Sequence, residues 1–73
     1  MKLPVLSGNE VIKGLLKAGF QIARQKGSHV ILKHIDGRTT VVPIHPNRDV
    51  GRGLLRRILK EAELESEEFI KLF

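Results

Sequence analysis

Residues 20–44 read FQIARQKGSHVILKHIDGRTTVVPI. Three strand-like runs fill this stretch. Phe20–Gln25 alternates apolar and polar residues, Ser28–Ile35 is β-branched and apolar, and Arg38–Ile44 carries Thr-Thr-Val-Val. Asp36-Gly37 between the last two is a strong two-residue hairpin signal, and Lys26-Gly27 is a weaker one for the first pair. Connections this tight build an antiparallel meander.

Helical patterns flank the three runs. Ser7-Gly8-Asn9-Glu10 fits a capping box, with Ser7 as N-cap and Glu10 reaching back from the third helical position. Val11, Ile12, Leu15 and Leu16 follow at helical spacing, and Gly19 is a natural stop, so the first helix covers residues 8–18. Gly14 within it costs up to ~1 kcal/mol of propensity. The second helix covers Gly53–Ala62, with Leu55, Ile58, Leu59 and Ala62 as its buried stripe. Ser66 can cap a short final turn, Glu67–Phe73, that buries Phe69 and Ile70 with Leu72 or Phe73. Residues 1–6 read as an extended lead-in. The expected fold is α+β in the order α-β-β-β-α: one domain, residues 1–73, with a three-stranded antiparallel sheet and both helices on one face. It resembles the double-stranded-RNA-binding domain.

Composition narrows the function. With 73 residues the chain sits near the lower limit for unaided folding, and with no cysteine it has neither disulfides nor a thiolate zinc site. No run approaches the ~18 apolar residues of a membrane span, and no signal-peptide pattern is present, so a soluble cytoplasmic protein is expected. Residues 1–60 hold twelve Lys and Arg against three acids, Glu10, Asp36 and Asp49, a net of +9. Residues 61–73 hold five Glu against Lys71, a net of −4. So basic a body calls for a polyanionic partner, nucleic acid before membrane; the bland alternative is lysine carried for solubility.

Three histidines are the chemical candidates. Two-residue turns at 26–27 and 36–37 place Arg24 opposite His29 and His29 opposite Ile44. Ile22, Ile31 and Val42 then form the next row. With Phe20 ahead of them that face reads as the core, and His29 lies at its rim. His29 and His34 are five residues apart on one strand, ~17 Å, and point to opposite faces. They cannot share a phosphate or a metal ion, and His34 reads as solvated. His45 lies beyond Ile44 at the His29 end, so Arg24, Lys26, Ser28, His29 and His45 gather around one rim.

Three isolated acids and two histidines that can meet do not make a metal site, so neither metal nor small-molecule cofactor is expected. RNA carries its own nucleophile, the 2′-OH. A histidine with an ordinary pKa of ≈ 6.5 can give or take the proton, while Arg and Lys stabilise the developing charge. His29 is either that reagent or a plain surface strand histidine, and spacing leaves both open. His45 before Pro46 fits a turn residue as well as an accessory one. Arg52, Arg56 and Lys60 recur every four residues on the second helix with Arg57 beside them. That row can track a phosphate backbone or serve as a solvated face. A non-catalytic RNA-binding module uses the same residues, whereas a DNA-binding domain lacks a helix-turn-helix here.

Three segments carry a resemblance: LSGNEVIKGLLKAGF, RQKGSHVILKH and TTVVPIHPNRDVGRGLLRRILKEAEL. With the G-S-H triplet (Gly27, Ser28, His29), the P-x-H ending the third strand and the G-x-L-x-x-I-L opening of the second helix, the chain resembles the HicA family of mRNA interferase toxins from about Leu6 to Phe73. The resemblance implies a double-stranded-RNA-binding-like fold, mRNA cleavage, and a HicB antitoxin as partner. The family's catalytic histidine falls on His29, with Gly27 and Ser28 as motif neighbours. Leu54 stands where the family often has Thr, and Glu63 where it often has Gly.

Overall fold

A computed structural model describes residues 3–73; residues 1 and 2 of the expected lead-in lie outside the described part. The elements run β1 (Leu6–Ser7), α1 (Gly8–Lys17), β2 (Phe20–Lys26), β3 (His29–His34), β4 (Thr39–Pro43), β5 (Asp49–Val50), α2 (Arg52–Ala62) and α3 (Ser66–Ile70). Strands β2-β3-β4 form an antiparallel sheet in sequence order, with α1 and α2 packed on one of its faces. The expected α+β architecture is thus present. The extra pair β1–β5, with Leu6 opposite Val50 and Ser7 opposite Asp49, has strands of two residues, too short for any periodicity to reveal.

The α1 start follows its capping box. The Ser7 hydroxyl accepts the Glu10 backbone N–H at 3.2 Å, and the Glu10 carboxylate accepts the Ser7 N–H at 3.0 Å. Val11, Ile12 and Leu15 are buried, while Leu16 is 43% exposed and leaves the expected stripe. Gly14 has a packing reason. A Cβ there would lie 2.7 Å from Phe69 Cε1 and 2.9 Å from Phe73 Cζ, so the missing side chain lets α3 press its rings onto α1. Lys17 Nζ donates to the Leu72 carbonyl at 2.9 Å and ties down the same C-terminal segment.

The sheet departs from the expected register at three points. The first turn is Gly27-Ser28, so Lys26 faces His29. A bulge lies between Ile22 and Arg24, shifting the ladder by one residue so that Ile22 meets Leu32 and Phe20 meets His34. The second turn has three residues, Ile35, Asp36 and Gly37. The Gly37 N–H donates to the His34 carbonyl at 2.9 Å, the His34 N–H donates to the Arg38 carbonyl at 2.8 Å, and Gly37 takes the φ of +101° that closes such a loop. His29 therefore pairs with Pro43, not Ile44, and Ile31 with Val41, not Val42.

The consequence is a change of face for β3. Phe20 and Val42 are buried as expected, but their β3 companions are Val30 and Leu32, and Thr40 joins them. Ile22, paired with Leu32 on the edge strand, is nonetheless 52% exposed, and Ile31 is half-buried on the other side of the sheet. His29 is not at the rim of the core; it stands on the helix-free face. His34 moves the opposite way. Its side chain is only 18% exposed and its ring meets Phe20 edge-on at 5.2 Å, so it is not a solvated residue.

Helix α2 buries Leu55, Ile58, Leu59 and Ala62, the expected stripe. Thr40 Oγ1 donates to the Glu61 carboxylate at 2.8 Å, and Arg38 donates to the Ala62 carbonyl at 2.6 Å, placing a cation at the helix C-terminus. Helix α2 thus runs antiparallel to β4. It ends with Glu63 in the left-handed region at φ 55°, which costs a non-glycine residue about 1 kcal/mol. Helix α3 starts one residue earlier than expected, with Glu65 rather than Ser66 as its cap. Phe69 is fully buried, and Phe73 packs on it edge-on at 5.2 Å.

Two stability predictions follow from this packing. Gly14→Ala should lower the thermal midpoint, the overpacking cost of about 1–3 kcal/mol outweighing the ~1 kcal/mol gain in helix propensity; an unchanged or higher midpoint would contradict the Phe69 contact. In the β3–β4 turn, the Arg38 backbone N–H at 3.0 Å, seconded by the Arg38 guanidinium and by His34, holds the Asp36 carboxyl below its ordinary value. A depressed folded value stabilises the fold above the unfolded pKa of ≈ 3.9 and ceases to do so as pH falls through the folded one. The midpoint difference between wild type and Asp36→Asn should therefore be present at pH 7 and shrink below about pH 4. A difference that stays constant to low pH would assign the effect elsewhere.

Candidate functional site

Alternation along the strands decides which side chains share the helix-free face. Cross-strand partners point the same way, so Lys26, His29 and Pro43 form one row there, and Arg24, Ile31 and Val41 form the next. Lys33 and Thr39 form a third row. Arg24, Lys26, His29 and Lys33 are exposed, whereas Ile31, Val41 and Pro43 are half-buried. The face thus has an apolar floor and four basic or titratable groups, and none of these residues is acidic.

The expected gathering is met in part. Lys26 is opposite His29 and Arg24 is one row further along, a reversal of the expected order. Ser28 sits in the turn between β2 and β3, and its carbonyl accepts the Ile44 N–H at 2.6 Å, tying the turn to the end of β4. His45 lies two residues beyond Pro43, exposed and at the His29 end. Among the described residues the His29 imidazole has no hydrogen-bond partner closer than 3.5 Å. His34 belongs to the opposite end of the sheet, where its Nδ1 faces the Asp36 N–H and the Asp36 carboxylate, both at 3.2 Å.

The cations of α2 lie on the other layer. Arg52, Arg56, Arg57 and Lys60 are all exposed, away from the buried stripe. Because α2 runs antiparallel to β4, Arg52 stands at the His29 end and Lys60 about 12 Å along the helix from it. The basic surface is therefore divided between the open sheet face and the outer side of α2, and the two meet at one end of the molecule. Among the described residues no three His, Cys, Asp or Glu side chains cluster as metal ligands. Nor is any helix there long and apolar enough to cross a membrane.

Two residues of this surface escaped the sequence reading. Lys33 was hidden by the register shift. Arg48 lies in an irregular loop, and its signal was the turn composition of His45-Pro46-Asn47-Arg48 rather than any periodicity.

A small α+β domain with a cationic open sheet face and a G-S-H turn at its end defines the class of the molecule. The family described as HicA toxin of bacterial toxin-antitoxin matches residues 8–64, and the chain belongs to it. It is thus a toxin of a toxin–antitoxin system, and that membership brings with it an antitoxin partner. No curated protein matches the chain.

The placement of the three imidazoles can be read chemically. Acylation by diethylpyrocarbonate, followed by peptide mass spectrometry, should modify His29 and His45 severalfold faster than His34. Equal rates at all three would contradict the packing of His34 on Phe20.

Proposed function

We propose that this toxin is a metal-independent endoribonuclease that cleaves mRNA, with His29 as general acid or base. The observation that carries the reading is the position of His29, exposed on the open face with Lys26 directly across the turn and Arg24 in the next row. In the reaction, the 2′-oxygen of one nucleotide forms a bond to the adjacent phosphorus and the bond from phosphorus to the 5′-oxygen of the next nucleotide breaks. One proton leaves the 2′-OH and one reaches the departing 5′-oxygen. Imidazole is chemically suited to either transfer, for which ~10²–10⁴-fold is a typical contribution.

Lys26 and Arg24 stabilise the charge that develops on the phosphoryl oxygens. His45 and Ser28 are accessory groups at the same end. Arg52, Arg56, Arg57 and Lys60 position the RNA backbone without reading its sequence. RNA without aromatic stacking partners fits a chain whose three Phe include two, Phe20 and Phe69, in the core. A HicB-like antitoxin, acidic where this chain is basic, is the partner that silences it, and the cytoplasm, where mRNA is translated, is the place of action.

A second reading, a non-catalytic double-stranded-RNA-binding module, is favoured by one feature: nothing orients the His29 ring by a hydrogen bond, whereas an activated base ordinarily has such a support. The experiment that separates the two is cleavage of RNA in EDTA. Wild type should cut, and His29→Ala should lose at least about 10²-fold while keeping its fold and its RNA affinity. Binding without product, the same for both proteins, would establish the module instead.

A further inference from the structure

The loop that follows β4 forms a second element at the His29 end. His45-Pro46-Asn47-Arg48 is a β-turn closed by the Arg48 N–H donating to the His45 carbonyl at 3.2 Å. Pro46 takes the second position, whose φ it presets, and Asn47 the third, at φ 59°. In such a turn the Cα atoms of the first and fourth residues come within about 7 Å, and His45 and Arg48 line the same clefts.

The turn overhangs a groove. Ser7, Gly8, Asn9, Ile44, His45 and Arg48 line a cleft of about 570 Å³, within the ~300–1,000 Å³ of ordinary ligand clefts. Its floor is set by close approach of α1 to the end of β4, since a Cβ on Gly8 would lie 2.7 Å from the Pro43 carbonyl oxygen. A narrower cleft of about 130 Å³ shares His45 and Arg48 and runs to Pro43 on one side and Leu54 on the other. Pro43 is the cross-strand neighbour of His29, and Leu54 lies in the first turn of α2 beside Arg52. The narrower cleft thus leads from Pro43, across the ladder from His29, by way of His45 and Arg48 to Leu54 in the first turn of α2.

Its charge suits an anion that also offers polar edges. Arg48 forms no ion pair closer than 4.0 Å among the described residues, and the groove adds the amides of Asn9 and Asn47 and the Ser7 hydroxyl. The one acid there, Asp49, sits on β5 opposite Ser7, which directs the anion toward the Arg48 side.

We propose that this turn is a binding site for the phosphodiester backbone of a single RNA strand, with Arg48 contacting the phosphate flanking the one at His29 and Asn47 and Asn9 meeting the adjoining nucleotide. The inference rests on the RNA reading and adds to it a site joining the open sheet face to α2. His45 lies two positions beyond Pro43, about 7 Å of chain, so the site takes the neighbouring phosphate rather than the scissile one.

The test uses a short single-stranded RNA and the full-length protein. In a His29→Ala background, Arg48→Ala should weaken binding about three- to tenfold and reduce the salt slope of log affinity by about 0.7, one phosphate contact on a single strand. Arg48→Lys should restore most of both, and Lys71→Ala, at the C-cap of α3, should change neither. In the cleaving protein Arg48→Ala should raise KM with kcat retained. Thermal midpoints of all variants are to match, so that a folding defect is recognised. An Arg48→Ala protein with wild-type affinity and slope overturns the site, as does a loss of affinity without a change in slope. Where wild type cleaves RNA and Arg48→Ala is indistinguishable from it, only this assignment falls. Where wild type neither binds nor cleaves RNA, the RNA reading falls and takes the site with it.

Discussion

The burial of Val30 and Leu32 beneath α1 and α2 governs which side chains of β3 reach the open face of the sheet. Strand side chains alternate, so committing two even-numbered residues of β3 to the core sends His29, Ile31 and Lys33 outward together. Each fully buried Val or Leu contributes roughly 1.5–3 kcal/mol, which makes any one-residue slip of β3 far too costly to be populated. The exposure of His29 is thus a by-product of packing, enforced from the opposite side of the sheet. Nothing near the imidazole itself needs to hold it there.

The layer that enforces this register is itself held from the C-terminal end. Phe69 presses on α1 at Gly14, Lys17 bonds the Leu72 carbonyl, and Arg38 bonds the last turn of α2 while its guanidinium lies 5.2 Å from the Phe20 ring centroid. Arg38 also bonds Asp36 at 2.8 Å, so one side chain joins the β3–β4 turn to the end of α2 and to the core. For a 73-residue domain, whose core is small by necessity, such ties substitute for apolar volume. They lie toward the end of the sheet opposite His29, and among the described residues the His29 end carries no long-range side-chain hydrogen bond or ion pair.

What could be read in the sequence was what local chemistry determines. The Ser7–Glu10 capping box, the stop at Gly19 and the α2 stripe of Leu55, Ile58, Leu59 and Ala62 each depend on residues within a turn or two of one another. The face of β3 did not have that property. It depends on whether the ladder gains a residue at Ala23 and another at Ile35, and each such event exchanges inside for outside. Asp36-Gly37 signals a turn without saying whether Ile35 belongs to it. Gly14 is equally opaque, because its reason, Phe69, is fifty-five residues away. At the candidate site, the shared end of His29 and His45 follows from chain direction, whereas the neighbours of His29 had to come from the true register.

Glu63 shows how a departure from the family pattern can leave the His29 end of the molecule untouched. Where the family often has Gly, this chain holds a glutamate in the left-handed region, and the Leu64 N–H still donates to the Leu59 carbonyl at 2.9 Å, so the cap forms regardless. The strain is confined to the far end of α2, beside Arg38 and Ala62. The near end, where Arg52 meets the His45–Arg48 turn, starts at Gly51 with no side-chain cap. Its first N–H groups are therefore not occupied by a side chain of the preceding residue, and an approaching polyanion meets partial positive charge there in addition to the guanidinium of Arg52. The two ends of α2 thus have different duties: the C-terminal end is bonded into the fold, and the N-terminal end faces solvent at the one place where both basic surfaces converge.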